Sequence, residues 1–594
     1  MPVPQEDALP VGNPTSSSHT VPAQAQPEVA EVLEKFQKLG DDAAAEEGES
    51  DDEDGEGEGE GVEGVDGEGA TEGAGGEGGK KKKKKKKGKG KASKAVQKLK
   101  NIATGQAPQQ VIDAVREQMD PQESNIATDE EIQKALKAAD LMKILEGKMA
   151  LGNKSNTKNL GEHKFWKTQP VPQFPTSSSG AALEEGPIDS FKTPADVKQE
   201  PGTLPSGFVW SLIDIKNEEQ CKEVYDLLSE NYVEDDEAMF RFKYSKEFLL
   251  WALTAPGYYP NWHIGVRVQK TGKLIAFISG IKIEIRVRSK TFDSADINFL
   301  CVHKKLRSKR LTPVLIKEVT RRVNLENVWQ AIYTGGVVIP TPIGTCRYWH
   351  RNLNPPKLVD IGFSPLPRGY TIARLVKSYS VPPHPRIPGF REMTESDVPQ
   401  VGNLLRKYLA RFDIAQTFGK DEEVRHWFLS GQGRDARDGK RVEQVVWSYV
   451  VEDPTTNLIT DFMSFYSLPS TIMKHPKHDM LNAAYMFYYA SDVIFQPGGS
   501  SDDAATHDLK ANKKLEERLN ALCNDMLSVA KAAGFDVLNG LSCLDNNMFL
   551  QEQKFGPGDG YLNYYLYNWS CAPIDGAQRS TSQKQSSGLG VVML

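Results

Sequence analysis

The stretch that constrains this chain most is DINFLCVHKKLRSKRLTPVLIKEVTRR, residues 296 to 322. Ile297 to His303 is a bounded apolar run rich in β-branched and aromatic residues, which predicts a short strand packed on both faces. A helix is expected next, with Thr312 as N-cap and Pro313 at the first helical position, where a missing N–H costs nothing. Leu315, Val319 and Val323 recur at i, i+4 and i+8 and predict one buried face, with Lys317, Arg321 and Arg322 turned to water. Between strand and helix, KKLRSKR places five cations in seven residues. A helix N-terminus already favours an anion, and Arg307, Lys309 and Arg310 add charge-assisted hydrogen bonds. The unit therefore reads as a turn that holds phosphates, with a solvated basic loop as the plain alternative.

Length and charge set the surroundings of that unit. A chain of 594 residues exceeds one ordinary domain, and its net charge of -7 hides a strong asymmetry. Asp41 to Glu77 is dominated by Asp, Glu and Gly, and Lys80 to Lys87 is an unbroken lysine run. Residues 1–95 are accordingly expected to be a disordered acidic and polylysine tail, because such composition cannot bury enough apolar surface to offset chain entropy. A lysine block binds polyanions without reading sequence; a solubilising tail is the alternative. Residues 96–160 predict a helical lead-in, with Ile132, Leu136, Leu141 and Leu145 as its stripe and Thr128 and Glu131 as a capping box. Six cysteines without CxxC spacing suit reduced thiols. No apolar run reaches the roughly 18 residues of a membrane span. MPVPQEDALP offers no signal region, and Pro2 in place of glycine precludes N-myristoylation of the chain itself. A cytoplasmic location is expected.

INFLCVH with its basic loop and helix resembles the signature of the eukaryotic, fungal-type N-myristoyltransferases (glycylpeptide N-tetradecanoyltransferases). KFGPGDGYLNYYLYNW at 554 to 569 resembles that family's second signature. The resemblance runs from about Glu162 to Leu594. It implies transfer of a myristoyl group from myristoyl-CoA to the N-terminal glycine amine of proteins and peptides, with myristoyl-CoA as co-substrate and neither a permanently bound cofactor nor a metal. It further implies ribosome association through the lysine block, no sequence-specific nucleic acid, no transmembrane segment and a monomer. Helix, three strands, basic loop and helix is the element order of GCN5-related acyltransferases, although Arg-Ser-Lys-Arg-Leu-Thr stands where glycines are usual. The order recurs after the Pro-rich break at 380 to 390. The fold class expected is mixed α/β, with two acyltransferase-like halves at 161–379 and 380–594 related by a pseudo-twofold.

The chemistry makes two demands. An α-amine has a pKa of about 7.7–8.0 and only its neutral form attacks, so a base is needed. The apolar end Val591 to Met593 would draw the Leu594 carboxylate inward, and burial raises a carboxylate's pKa towards the useful range. By resemblance, Leu594 is the base and Asn298 and Thr334 hold the amine. The second demand is a site for the oxyanion. Adjacent strand N–H groups converge only at a bulge, and Phe299 and Leu300 match the family positions whose amides form that hole, worth roughly 3–4 kcal/mol per donor.

For acyl-CoA, the resemblance implies that His163, Lys164, Phe165 and Trp166 cover the CoA. Cys301 and Val302 continue the wall begun by Phe299 and Leu300. Arg307, Ser308, Lys309, Arg310, Leu311 and Thr312 form the phosphate turn. For the peptide, Val233, Glu234 and Asp235 match a groove loop, beside Phe240 and Phe242, which share one face of an extended segment. Tyr348 and His350 alternate on another strand, and Ser470, Tyr485, Asn539, Asp559 and Leu562 complete the groove by resemblance. Gly556, Gly558 and Gly560 permit φ above zero. Cys301 and His303 could relay the acyl group through a thiolate, against the ordinary reading of Cys as a small buried hydrophobe. His475 and His478 have a spacing that metal ligands use, but no Cys or carboxylate partners in motif spacing. An N-acetyltransferase and a non-enzymatic ribosome-bound adaptor are the competing readings.

Overall fold

The computed structural model describes residues 163–172, 184–233, 239–435, 441–496, 504–577 and 586–594. The acidic and lysine tracts, the expected helical lead-in, Glu234 and Asp235 fall outside the described residues, which all belong to one compact unit, Met149–Leu594.

The first half supplies β1 (Phe208–Leu212), α1 (Glu218–Asn231), β2 (Phe240–Phe242), α2 (Lys246–Leu253), β3 (Ile264–Val268), β4 (Leu274–Val287), β5 (Lys290–Val302), α3 (Leu311–Leu325), β6 (Gln330–Gly335) and β7 (Gly344–Asn352). Two short helices follow, α4 (Pro355–Asp360) and α5 (Ile372–Ser378). The second half then runs β8 (Phe390–Glu392), α6 (Val398–Leu409), β9 (Ile414–Gln416), α7 (Asp421–Leu429), β10 (Arg434–Asp435), β11 (Arg441–Val442), β12 (Val446–Glu452) and β13 (Ile459–Ser467). It closes with β14 (Ser470–Ile472), β15 (Met480–Leu481), β16 (Ala483–Ser491), α8 (Ala504–Ala532), β17 (Val537–Leu541), β18 (Gly556–Tyr567) and β19 (Leu589–Gly590).

One sheet joins the halves in the order β1-β3-β4-β5-β6-β18-β7-β17-β16-β13-β12-β8. Read inward from either edge it has the same plan: antiparallel strands, then a parallel pair joined by a helical crossover, β5 to β6 through α3 and β16 to β17 through α8. At the centre the last strands are exchanged, so that β18 pairs with β6 and β7 with β17. This is the mixed α/β pseudo-twofold architecture expected from the recurring element order.

Local chemistry explains the elements. Asn217 caps α1, its side-chain oxygen accepting from Glu219 N and Gln220 N at 3.1 Å each. Leu315, Val319 and Val323 are all buried on α3 against one side of the sheet, each such side chain stabilising the fold by roughly 2 kcal/mol. Two expectations about α3 need correction. Its N-cap is Arg310, in the left-handed region at φ 56° and ψ 30°, so Thr312 and Pro313 lie inside the first turn. Pro is tolerated there because the first N–H groups of a helix have no intrahelical acceptor. Nor do Arg321 and Arg322 simply face water: both pair with the buried carboxylate of Glu318, at 2.8 and 2.7 Å. A carboxylate that reaches the core needs such partners.

Candidate functional site

The site begins at an irregularity in β5. Its register against β4 passes from Phe277↔Cys301 to Ser279↔Asn298, so Phe299 and Leu300 together oppose the single residue Ile278. This is a β-bulge, and Phe299 takes a left-handed φ of 54°. The extra residue slips the alternation, so Phe299 follows Asn298 onto the face that Cys301 shares, while Leu300 packs with Ile297 and Val302 on the other.

Asn298, just before the bulge, holds three groups. Its Nδ2 donates to Leu594 O at 3.0 Å, its Oδ1 accepts from Phe299 N at 3.0 Å, and its carbonyl accepts from Ser279 Oγ at 2.9 Å. Phe299 also packs its ring beside the half-buried Tyr232, centroids 6.2 Å apart, while its N–H stays on Asn298 Oδ1. That donor is therefore already engaged within the protein. Thr334 follows Tyr333, which pairs with Ile297, and so sits beside Asn298 on the neighbouring strand.

The last residues reach this point through the core. Val591, Val592 and Met593 are buried and Leu594 packs half-buried against the same cluster. Their path is fixed by hydrogen bonds: β19 pairs with β9, Tyr564 Oη donates to Val591 O at 3.1 Å, and Val592 N donates to Tyr488 Oη at 3.0 Å. Upstream, the buried Asp545 carboxylate accepts from Arg411 at 2.7 Å and from the Tyr408 and Ser586 hydroxyls. Sequence reasoning missed Tyr488, Tyr564 and Asp545, because a single-residue hydrogen bond between distant segments leaves no periodic trace. It also passed over Asp296, which shares a strand face with Asn298. Its Oδ1 is buried without a hydrogen-bond partner in the protein, and burial pushes the carboxyl up to about 7. The available signal was an acid inside an otherwise apolar strand.

The basic turn follows β5 as a 3-10 segment, Lys304–Lys309, capped by His303 Nδ1, which accepts from Lys305 N at 3.3 Å. Lys309 and Arg310 are exposed at the start of α3, Leu311 is buried and Thr312 half-buried. Arg307 instead donates to the carbonyl of Asn231 at the end of α1, so part of its guanidinium is committed to the protein. Further along, Trp166 is buried and stacks on Tyr333 of β6 with ring centroids 5.7 Å apart; Tyr333 stacks on Tyr565 at 5.1 Å. Phe165 packs edge-on against Trp166, with His163 half-buried and Lys164 exposed beside them. The segment is tied to β18 and its exit by Asn568 N donating to Pro170 O at 2.7 Å.

Most of the expected peptide-facing residues form one aromatic cluster. β2 pairs with β14, setting Phe242 opposite Ser470. Phe242 meets Tyr485 edge-on at 6.1 Å, and Phe240 and His350 both meet Phe363, at 5.7 and 5.3 Å. His350 Nδ1 lies 2.7 Å from Asn539 Oδ1, and burial holds the imidazole below its usual range, so it is neutral near pH 7. Tyr348 and Leu562 pack on the main core cluster beside this wall, Asp559 is exposed and Val233 is an exposed apolar residue. The glycines of β18 differ from expectation: none of Gly556, Gly558 and Gly560 has positive φ. Gly558 serves close approach, since a Cβ there would lie 2.4 Å from His350 Nε2 and 3.0 Å from Tyr348 O.

Cys301 is buried, its thiol donating to Leu227 O at 3.9 Å, and burial pushes it up to about 12. A thiol so strongly protonated is a poor relay nucleophile. His475 and His478 stack at 5.1 Å and His478 meets Asp360 at 3.2 Å, and among the described residues no group of three or more His, Cys, Asp or Glu could hold a metal.

Residues 187–346 match the model of the myristoyl-CoA:protein N-myristoyltransferase N-terminal domain, and residues 360–592 match that of its C-terminal domain. The glycylpeptide N-tetradecanoyltransferase of Emericella nidulans is 49% identical over 463 residues, covering 77% of this chain and 89% of the relative. Glycylpeptide N-tetradecanoyltransferase 1 of Arabidopsis thaliana is 50% identical over 432 residues, covering 73% and 89%. A crystal structure of Saccharomyces cerevisiae N-myristoyltransferase with bound myristoyl-CoA is similar with a TM-score of 0.67 and 48% identity, over 73% of this chain and 99% of that one.

Proposed function

Because this chain belongs to the myristoyl-CoA:protein N-myristoyltransferase family, we propose that it moves the myristoyl group of myristoyl-CoA directly onto the N-terminal glycine amine of protein substrates. The observation that carries the mechanism is the hydrogen bond from Asn298 to Leu594 O beside the β5 bulge. In this reading the Leu594 carboxylate takes a proton from the incoming ammonium, the freed amine attacks the thioester carbonyl, and the tetrahedral intermediate collapses by breaking the C–S bond, the second amine proton leaving with the CoA thiolate as its thiol. Phe299 and Leu300 amides receive the negative charge that develops on the carbonyl oxygen. The Phe299 N–H must then pass from Asn298 Oδ1 to that oxyanion, so Asn298 links the base to the hole. The exposed Lys309 and Arg310, at the N-terminus of α3, hold the CoA phosphates.

Trp166 and its neighbours cover the CoA, and the aromatic wall of Phe240, Phe242, Tyr348 and His350 receives the peptide. Thr334 helps hold the amine, in a space too narrow for a Cβ. Lys80 to Lys87 belongs to the same reading as a ribosome contact, tested by salt-dependent cosedimentation with ribosomes.

The deciding experiment follows labelled acyl transfer from myristoyl-CoA and from acetyl-CoA to peptides that begin with glycine or alanine. Transfer of myristate to the glycine peptide alone is expected. Preference for acetyl-CoA, or equal turnover of both peptides, would overturn the proposal.

A further inference from the structure

A buried carboxyl without a hydrogen-bond partner is costly to ionise, because removal from water must be compensated. Asp296 is half-buried, and its Oδ1 is shielded from solvent and unpartnered within the protein, so part of that cost falls on it. Its cross-strand neighbours on β4 and β6 are Ile281 and Ile332, which can offer it nothing. Two residues along the same face, Asn298 holds Leu594. Opposite, the Tyr488 hydroxyl of β16 lies within electrostatic reach of Asp296 and accepts from Val592 N. The tail thus follows the strand, with Val592 tied near Asp296 through Tyr488 and Leu594 tied at Asn298.

Same-face positions on a strand are about 7 Å apart, close enough between two half-buried groups for one carboxylate to raise the other's proton affinity. The other titratable groups along this path are the Tyr488 and Tyr564 hydroxyls, which burial keeps protonated. The charged Asp293 of the same strand pairs with Lys282 at 2.7 Å.

Resting on the function proposed above, we infer that Asp296 and the Leu594 carboxyl act as a coupled pair, with Asp296 a positioning residue that sets the basicity of Leu594. In the step it supports, an N–H bond of the substrate ammonium breaks and its electron pair stays on nitrogen. The proton forms an O–H bond at Leu594, and the pair then carries one proton and one negative charge between its two carboxyls. The proton leaves to solvent once product has gone. Asp296 does not touch the amine.

The test compares pH profiles of kcat/KM for peptide in the full chain and in the variants Asp296→Asn and Asp296→Glu. With its like-charged neighbour removed, Leu594 becomes a weaker base. Asp296→Asn should move the acidic limb to lower pH by about one unit and lower the plateau about fivefold, with the KM for myristoyl-CoA unchanged. Asp296→Glu should bring the limb back. An Asp296→Asn limb lying where the parent's lies, whatever happens to the rate, overturns the inference.

Should Asp296→Asn not fold, infrared difference spectra of the parent chain carrying isotope-labelled aspartate decide instead. A carboxyl that titrates in two steps supports the pair, and a single step in the ordinary aspartate range overturns it. A parent chain that transfers no myristate would sink the proposed function, while the infrared result would still report on the pair.

Discussion

The two halves of the sheet carry the same irregularity and use it differently. In the second half, β16 passes from Met463↔Tyr489 to Phe465↔Met486, so Phe487 and Tyr488 oppose the single residue Ser464, as Phe299 and Leu300 oppose Ile278 in the first. By this register Asn298 corresponds to Met486 and Asp296 to Ala484, and with the parallel pairs Ile297↔Tyr333 and Tyr485↔Asn539 aligned, Thr334 corresponds to Gly540. Only the first bulge has a residue in the left-handed region. After β5 the chain continues as HKKLRSKR, whereas after β16 it continues as DVIFQ. A duplicated backbone thus supplies the bulge twice, and in the function proposed above the side chains assign the chemistry to the first copy alone. The second copy lends Tyr488 to hold the tail and gives the rest of its bulge to aromatic packing, Phe487 meeting Tyr488 at 4.8 Å.

The contrast can be broken most sharply at the tail. Deleting Leu594 should lower kcat by on the order of a hundredfold or more, the usual cost of losing a positioned base, with myristoyl-CoA binding retained in a direct titration. Equal activity of the truncated chain would remove the distinction between the halves. Next in size, Lys309→Ala with Arg310→Ala should weaken myristoyl-CoA binding about tenfold, more at low salt than at high. The change Asp492→Asn in the matching turn of the second half should leave that affinity where it was; comparable losses from both would mean that charge at the two turns is interchangeable.

Stability sharpens the comparison further. Asp296 keeps its proton in the folded chain up to about 7, but loses it near 3.9 when unfolded. Between those values the folded state binds more protons, so this group's contribution to stability falls as pH rises. Asp296→Asn should therefore stabilise the fold relative to the parent at pH 8 by on the order of 1–2 kcal/mol, read as a higher Tm, and leave Tm alone at pH 4. Ala484→Asp in the second half should destabilise over the same range. The smallest effect is expected at Gly558, where Gly558→Ala should displace the His350 ring and raise the peptide KM a few-fold, leaving kcat and acyl-CoA affinity unchanged.

Periodicity made the strands and helices legible, and the bulge was anticipated from the need for two adjacent donors to converge. The burial of Val591 to Met593 could be read from their apolarity. The start of α3 could not, because the left-handed turn at Arg310 has none of the usual glycine or asparagine signal. The same limit hid the ion pairs around Glu318 and the role of Gly558, since both depend on partners far away in sequence. The strand exchange was invisible for a similar reason: β18 is an aromatic strand whichever half it joins.

That exchange bears on how the protein is made. β18, formed by residues 556 to 567, is inserted between β6 and β7, which are synthesised more than two hundred residues earlier. While it emerges from a ribosome, the leading half must wait with a gap in the middle of its sheet, two unsatisfied strand edges exposed to any passing extended chain. Maturation is therefore bound to the end of synthesis, and a nascent chain stalled before residue 556 should be a client of chaperones.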